Sequence, residues 1–270
     1  MSEVQVRQTP DIIQQVNASQ SGLAAALADR IGVERFTRAA VTVLRTTPAL
    51  SRCTPESVLG GLFVAAQLGL EIGGPRAYAH LVPYGRDAQL IVGYKGYVEL
   101  FYRAGARAVT ADIVREGDVI EQATDETGRT VIHWKNANPL DTDRAPVGAL
   151  AVVVLASGEV LQNFMTKAQI LKRKPRTSKA GPWSDWEEEM WLKTVLRDTA
   201  RTARLSSDDL ALAVQADQSI TTGTGETAKR RHVEVGEAEF EPVTVAELTA
   251  LVDAELDPAH PDYVASADER

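Results

Sequence analysis

Apolar positions recur at helical spacing from residue 23 onward. They predict one helix over about Leu23 to Arg45, which Pro48 and Pro55 in TTPALSRCTPESV bring to an end. The preceding residues 1 to 22 are polar and Gln-rich and are predicted to be loosely ordered. Thr54 or Ser57 caps a second helix, VLGGLFVAAQLGL, whose apolar positions run nearly all round it and predict burial. At Arg76 the period changes from helical to alternating. RAYAHLVPYG and AQLIVGY read as two strands about Tyr84-Gly85-Arg86-Asp87, followed by a helix from Lys95 to Ala104 that Gly105 ends.

The alternation then continues. ARAVTADIVREGD is a strand entering a Gly-Asp turn, VIEQATD and RTVIHWKN form a hairpin about residues 126–129, and VGALAVVVLASGEVLQNFMT forms another across Ser157-Gly158. Strands joined by short turns pair antiparallel, so the fold class is α+β, with hairpins packed against helices. WEEEMWLKTVLRDTARTAR is a strong helix with Ser184 as N-cap and acids in its first turn. Beyond residue 205 the periodicity fades. Residues 206–270 read as an acidic linker and disordered tail with one short helix, VTVAELTALVDAEL, at 243–256. The domain organisation expected is therefore a loose segment 1–22, a core 23–205 and a tail 206–270.

Composition narrows the functional classes. The chain has 270 residues, 44% of them hydrophobic, and a net charge of -8. The acidity is uneven: residues 206–270 hold 15 acids and 4 bases, which leaves 25 bases and 22 acids, a net of +3, in residues 1–205. The N-terminus shows no cationic start leading into an apolar run, and the longest apolar stretch, ALAVVVLA, is too short to span a bilayer. The expected compartment is the cytoplasm, with no membrane partner. Cys53 is single, and His80, His133, His232 and His260 lack ligand spacing, which argues against disulfides and a structural zinc.

Signals for catalysis fail one by one. No phosphate-binding Gly-rich loop with its Lys-Ser/Thr ending occurs, and GTGETAK at 223–229 has neither the preceding strand nor the spacing. Glu187, Glu188 and Glu189 are consecutive helix positions that point apart, so they favour the helix N-terminus rather than sharing an ion. No nucleophile elbow or paired-His zinc motif appears. The residues ask for neither ATP nor a metal-dependent active site.

Signals for polyanion binding are better. Lys193, Arg197, Arg201 and Arg204, separated by four, four and three residues, fall along one helix face as a ridge about 16 Å long. Just upstream, Lys167, Lys172, Arg173, Lys174, Arg176 and Lys179 lie in a stretch without an acid between Leu161 and Ser184. Loop and ridge together predict two walls of a cationic groove; alone, the ridge favours DNA contact over a solvated face, and the loop reads equally as either. Aromatic side chains add base stacking. Trp183, after Gly181-Pro182, is open to either role, whereas Trp186 with Met190 reads as core. GYKGYVELFYRAG at 93–105 divides similarly. Tyr97 and Phe101, with Leu100, anchor the helix, while Lys95 between Gly93 and Gly96 marks a corner where a phosphate can approach.

VLGGLFVAAQLGLEIG, AYAHLVPYG, QLIVGYKGYVELFYRAG, IVREGD and GPWSDWEEEMWLKTVLR occur in series. In order and spacing they resemble the RecT family of phage and prophage single-strand annealing proteins, over roughly residues 25–201. The resemblance implies a core similar to lambda Red beta and the eukaryotic Rad-type annealing proteins. It implies ATP-independent binding of single-stranded DNA and annealing of complementary strands in phage recombination and repair, by a homo-oligomer forming rings or helical filaments. No cofactor is implied, although magnesium modulates DNA binding in some members. The implied partners are single-stranded DNA, the annealed duplex intermediate, other copies of the chain and, through the acidic tail, a phage exonuclease or host single-strand-binding protein. The family's Gly-Tyr-basic-Gly element falls on Gly93, Tyr94, Lys95 and Gly96, and its basic helix on Lys193, Arg197 and Arg201. Leu192-Lys193 and Arg197-Asp198 stand where the family commonly has paired cations. The expected DNA-binding set is Tyr94, Lys95, Tyr97, Arg103, Arg107, Lys167, Lys172, Arg173, Lys174, Arg176, Lys179, Trp183, Lys193, Arg197 and Arg201. A passive single-strand-binding module is the alternative, and a metal-dependent nuclease a distant third.

Overall fold

The computed structural model describes residues 9–27, 30–76, 78–126, 128–174, 181–202 and 207–221. Residues 1–223 form one compact unit, and residues 224–270 lie outside the described residues.

Four helices come first: α1 (Thr9–Ala18), α2 (Gln20–Leu27), α3 (Val33–Thr46) and, after a 3-10 turn over Pro48–Arg52, α4 (Pro55–Gln67). Two departures from the sequence pattern occur here. Residues 9–18 are helical, because Ile12 and Val16, four apart, bury one stripe of an otherwise polar helix in the core. The single helix expected from Leu23 to Arg45 is two helices, with Gly32 in an extended conformation as the N-cap of α3. Thr54 is the N-cap of α4, but its side chain bonds no first-turn amide. Ser57 instead donates to the Thr54 carbonyl at 2.8 Å and accepts from the Ala88 amide at 2.9 Å, which fastens α4 to the first hairpin.

That hairpin is β1 (Ala79–Tyr84) and β2 (Asp87–Val92), in the register Ala79 to Val92 through Tyr84 to Asp87. It leads directly into α5 (Tyr94–Arg103). The larger sheet has three antiparallel strands in the order β3 (Ala106–Arg115), β6 (Pro146–Leu155), β7 (Val160–Thr166). Strands β4 (Val119–Thr124) and β5 (Thr130–Lys135) form a separate hairpin. The α+β class, the hairpins and their turns thus agree with the pattern of alternation.

Alternation along the larger sheet sorts its two faces. Val109, Ala149, Ala151, Val153 and Met165 join the main core with the helices, whereas Val114 and Leu150 join Ile132 in a small second cluster under the β4–β5 hairpin. Gln162 holds that hairpin to β7: its amide accepts from the Ile132 N–H at 2.8 Å and donates to the Ile132 carbonyl at 3.1 Å. One side chain thereby supplies the pair of bonds a neighbouring strand would make.

Chain order ends with α6 (Lys167–Leu171), the single turn α7 (Pro182–Asp185), α8 (Glu187–Thr202) and α9 (Asp208–Thr221). Thr166 and Gln169 close a reciprocal capping box on α6. Helix α8 is central, and Met190, Trp191, Thr194, Val195, Leu196 and Thr199 are all buried. Helix α9 extends the core beyond the boundary expected at residue 205. Its Leu210, Ala213 and Val214 are buried, and Asp209 accepts from Arg30 at 2.6 Å.

Candidate nucleic-acid interface

The corner at Gly93–Gly96 is built by close packing. The Gly93 amide donates to the Tyr78 carbonyl at 2.8 Å, and a Cβ on Gly96 would stand 2.3 Å from that same oxygen. Gly96 is therefore demanded by the protein's own backbone, not by room for a phosphate. Lys95 is exposed, with its ammonium 5.9 Å from the Tyr94 ring centroid. Tyr97, Leu100 and Phe101 are fully buried, which places Tyr97 in the core and out of reach of a stacked base. Arg103 turns inward: its guanidinium donates to the Leu68 carbonyl at 2.8 Å, the Gly69 carbonyl at 3.0 Å and Glu99 at 3.0 Å. It caps the C-terminus of α4, where carbonyls lack helical partners. Arg107, the second residue of β3, is exposed.

The expected ridge on α8 is corrected by α9. Lys193 is 5% exposed, and its ammonium donates to Asp217 at 2.8 Å. The Tyr97 hydroxyl donates to the other oxygen of the same carboxylate at 2.7 Å. Burial pushes the Lys193 pKa down, and the charge and hydrogen bond of Asp217 only partly restore it; the nearby Arg197 lowers it further. Burial likewise pushes the Tyr97 phenol up, reinforced by Asp217. A face read as solvent-exposed is thus occupied by a helix that the fading periodicity beyond residue 205 concealed. Of the remaining ridge, Arg197 is half-buried with no ion-pair partner among the described residues, and Arg201 is exposed. Arg204 lies outside the described residues.

The basic segment and α8 do come together. Arg173, just beyond α6, donates to Asp198 at 2.5 Å, Arg201 donates to the same oxygen at 2.9 Å, and Asn163 of β7 adds a bond at 3.2 Å. Burial alone would raise the Asp198 pKa; Arg173, Asn163 and Arg201 outweigh it and hold the carboxyl below its usual range. Two guanidiniums on one carboxylate leave a net positive charge at this seam. The Lys167 ammonium lies 5.7 Å from the centroid of the buried Trp191 ring on α8. Lys172 is exposed and Lys174 half-buried, so Lys167, Lys172, Lys174, Arg173, Arg197 and Arg201 are the expected cations carried by α6, its C-terminal turn and α8. Arg176 and Lys179 lie outside the described residues.

Trp183, open to either role in the sequence, is core, and Trp186, expected as core, is not. Trp183 is buried, while Trp186 is 62% exposed at the joint between α7 and α8. A separate helical turn at residues 182–185 sets Trp186 off the register of α8, which the simple spacing to Met190 did not reveal. Asp185, Glu187 and Glu189 around it are exposed and would repel a phosphate backbone. The sequence reading also passed over Arg38 and Arg45, seven apart on α3, and Arg52 on the following turn. All three are exposed and without a carboxylate partner among the described residues. Their helical spacing was the available signal.

Among the described residues, no cluster of His, Cys, Asp or Glu could hold a metal ion, and no helix is long and apolar enough to cross a membrane. The arrangement is an α+β domain with a cationic seam between α6 and α8, suited to holding a polyanion. The sequence pattern of the RecT family matches residues 34–234, and the chain belongs to that family. It is 32% identical over 239 residues to Protein RecT of Escherichia coli strain K12, an alignment covering 79% of this chain and 86% of that protein. It is 33% identical over 166 residues to the uncharacterized protein YqaK of Bacillus subtilis strain 168, covering 60% of this chain and 56% of that one. Family membership supports a role in DNA recombination by single-strand annealing.

Proposed function

We propose that the protein coats single-stranded DNA and anneals it to a complementary strand without ATP. It acts as a homo-oligomer, ring or helical filament, in phage-type recombination within the bacterial cytoplasm. The observation that carries this reading is the RecT family match, which runs from α3 through α9. The physical requirements are modest. Cations must lower the repulsion between two phosphate backbones, and the contacts must leave the pairing edges of the bases free. No covalent step is needed, and magnesium acts only as a modulator of binding.

The seam of Lys167, Lys172, Lys174, Arg173, Arg197 and Arg201 takes the backbone, with Lys95 and Arg107 as further exposed cations. Tyr94, half-buried beside Lys95, supports that corner. Trp183, Tyr97 and Arg103 serve by holding the helices that carry these cations. Residues 243–256 dock an exonuclease or a single-strand-binding protein; because α9 belongs to the core, the deletion that tests this begins at residue 224.

The test is the composition of the complex after two additions. A labelled oligonucleotide is bound first, its complement follows without ATP, and the species are resolved by native electrophoresis. Both strands retained with the protein as a duplex intermediate support the reading. A coated first strand that never pairs would make the protein a passive single-strand binder, and shortened strands would make it a nuclease.

A further inference from the structure

The buried pair beneath α9 is an expensive way to dock a helix. Lys193 and Asp217 each give up water, and apolar residues at the same two positions would hold α9 without that loss. Among its described side chains α9 buries Leu210, Ala213 and Val214 and packs Leu212 part-buried beside them, with the Arg30–Asp209 pair near its start. Beneath α9, α8 and α5 also pack into the main core through Trp191, Val195, Leu196, Leu100 and Phe101. Lifting α9 therefore uncovers Lys193 without dissolving the core beneath it.

The chemistry of the pair is equally specific. A single carboxylate accepts from the Lys193 ammonium and from the Tyr97 hydroxyl, with the Arg197 charge acting on both. A phosphodiester is also a monoanion with two acceptor oxygens. It can replace Asp217 in those contacts with no change in net charge at the site.

We propose that α9 is an intramolecular competitor of DNA. Asp217 occupies an anion site formed by Lys193 and Tyr97, and a phosphate of single-stranded DNA takes its place when α9 lifts from α8. This rests on the single-strand-binding reading above, and adds to it a closed and an open state of the protomer. In the closed state affinity is reduced by the fraction of molecules that are open. The seam between α6 and α8 then serves as the first contact, and the uncovered Lys193 extends it along the helix.

Hydrogen exchange on the full-length chain, with and without a saturating oligothymidine, tests this directly. Amides of residues 208–217 lose protection when DNA binds, while those of α8 do not. Unchanged or increased protection of α9 at saturation overturns the proposal while leaving single-strand binding intact. Absence of any oligothymidine binding at low salt, read by fluorescence anisotropy, overturns both. An independent arm uses full-length L210E/V214E, which undocks α9. Its affinity rises about tenfold if the helix is closed in nine molecules of ten, and adding Lys193→Met removes most of that gain. Affinity equal to or below that of the parent, in a variant whose circular dichroism shows a folded core, overturns the competitor role. If the variant unfolds, exchange on the parent chain decides.

Discussion

Lys193 and Asp217 form a buried ion pair at 2.8 Å, joining the central helix α8 to the last helix of the core. Removing one partner strands the other charge in a dry site, a loss of about 3–5 kcal/mol for such pairs. Asp217→Ala should destabilise residues 208–221 most and the whole core by less than that, because α9 can detach first. Chemical denaturation followed by circular dichroism, together with exchange at α9, reads both. Lys193→Met should cost less than Asp217→Ala, since the methionine stem refills the space.

Gly96→Ala is predicted to be among the most damaging single-methyl changes in the protein. The added Cβ would lie 2.3 Å from the Tyr78 carbonyl and 2.9 Å from Val92, and the carbonyl is fixed by its bond to the Gly93 amide. A loss of roughly 2–4 kcal/mol is expected, toward the upper end of overpacking because backbone is struck. A melting temperature within about one degree of the parent would contradict this account of the glycine.

Asp118 gives the β4–β5 hairpin a sensitivity to acid. Its side chain is inaccessible to solvent, and burial alone would raise its pKa. Arg144, the amides of Ala137 and Arg115 and the Trp134 indole donate to it and reverse that effect, holding the carboxyl well below its ordinary 3.8. The sign follows from proton binding: the unfolded chain takes up the proton first. The stabilisation is full above about pH 4 and is lost as pH falls toward the depressed native value. Asp118→Asn should therefore cost about 2–4 kcal/mol at neutral pH and show a flatter acid limb in a denaturation series from about pH 5 to 2. A parallel limb would remove Asp118 from the explanation.

For the seam, salt dependence is the discriminating measurement. Lys167→Ala with Arg197→Ala should reduce the slope of log affinity against log salt by about one to two, at about 0.7 for each lost phosphate contact on a single strand. Arg103→Ala should leave the slope unchanged and lower stability, because its guanidinium is committed to the carbonyls of Leu68 and Gly69. An unaltered slope in the first variant removes both cations from the interface.

The hairpins were readable because their turns are chemically marked. Gly85, Gly117, Gly128 and Gly158 all adopt positive φ between runs of alternating residues. The helix α5 was readable for the same reason, with a glycine at each end. What escaped reading depended on partners distant in sequence. Helix α1 shows only Ile12 and Val16 on a polar background, and its burial depends on the helices that follow it. In α9, Leu210, Ala213, Val214 and Asp217 have the spacing of a buried stripe, but an acid at its fourth position disguised it. Lys193 was misjudged as a consequence, since a lysine on a helix face has no local sign that a carboxylate will cover it. Trp186, expected in the core, is exposed because a four-residue turn intervenes before α8. Arg103 shows the same limit, its two carbonyl partners lying 34 and 35 residues away.

Annealing without ATP is read from the rate at which two complementary oligonucleotides, carrying donor and acceptor dyes, form duplex at increasing protein. The experiment is run in chelator and again in magnesium, with nucleotide omitted throughout. Duplex formation is expected to be faster than in protein-free controls, greatest near the concentration that just coats both strands and reduced in the Lys167→Ala/Arg197→Ala variant. Saturating binding to each strand with no acceleration at any protein concentration, in either condition, would contradict it.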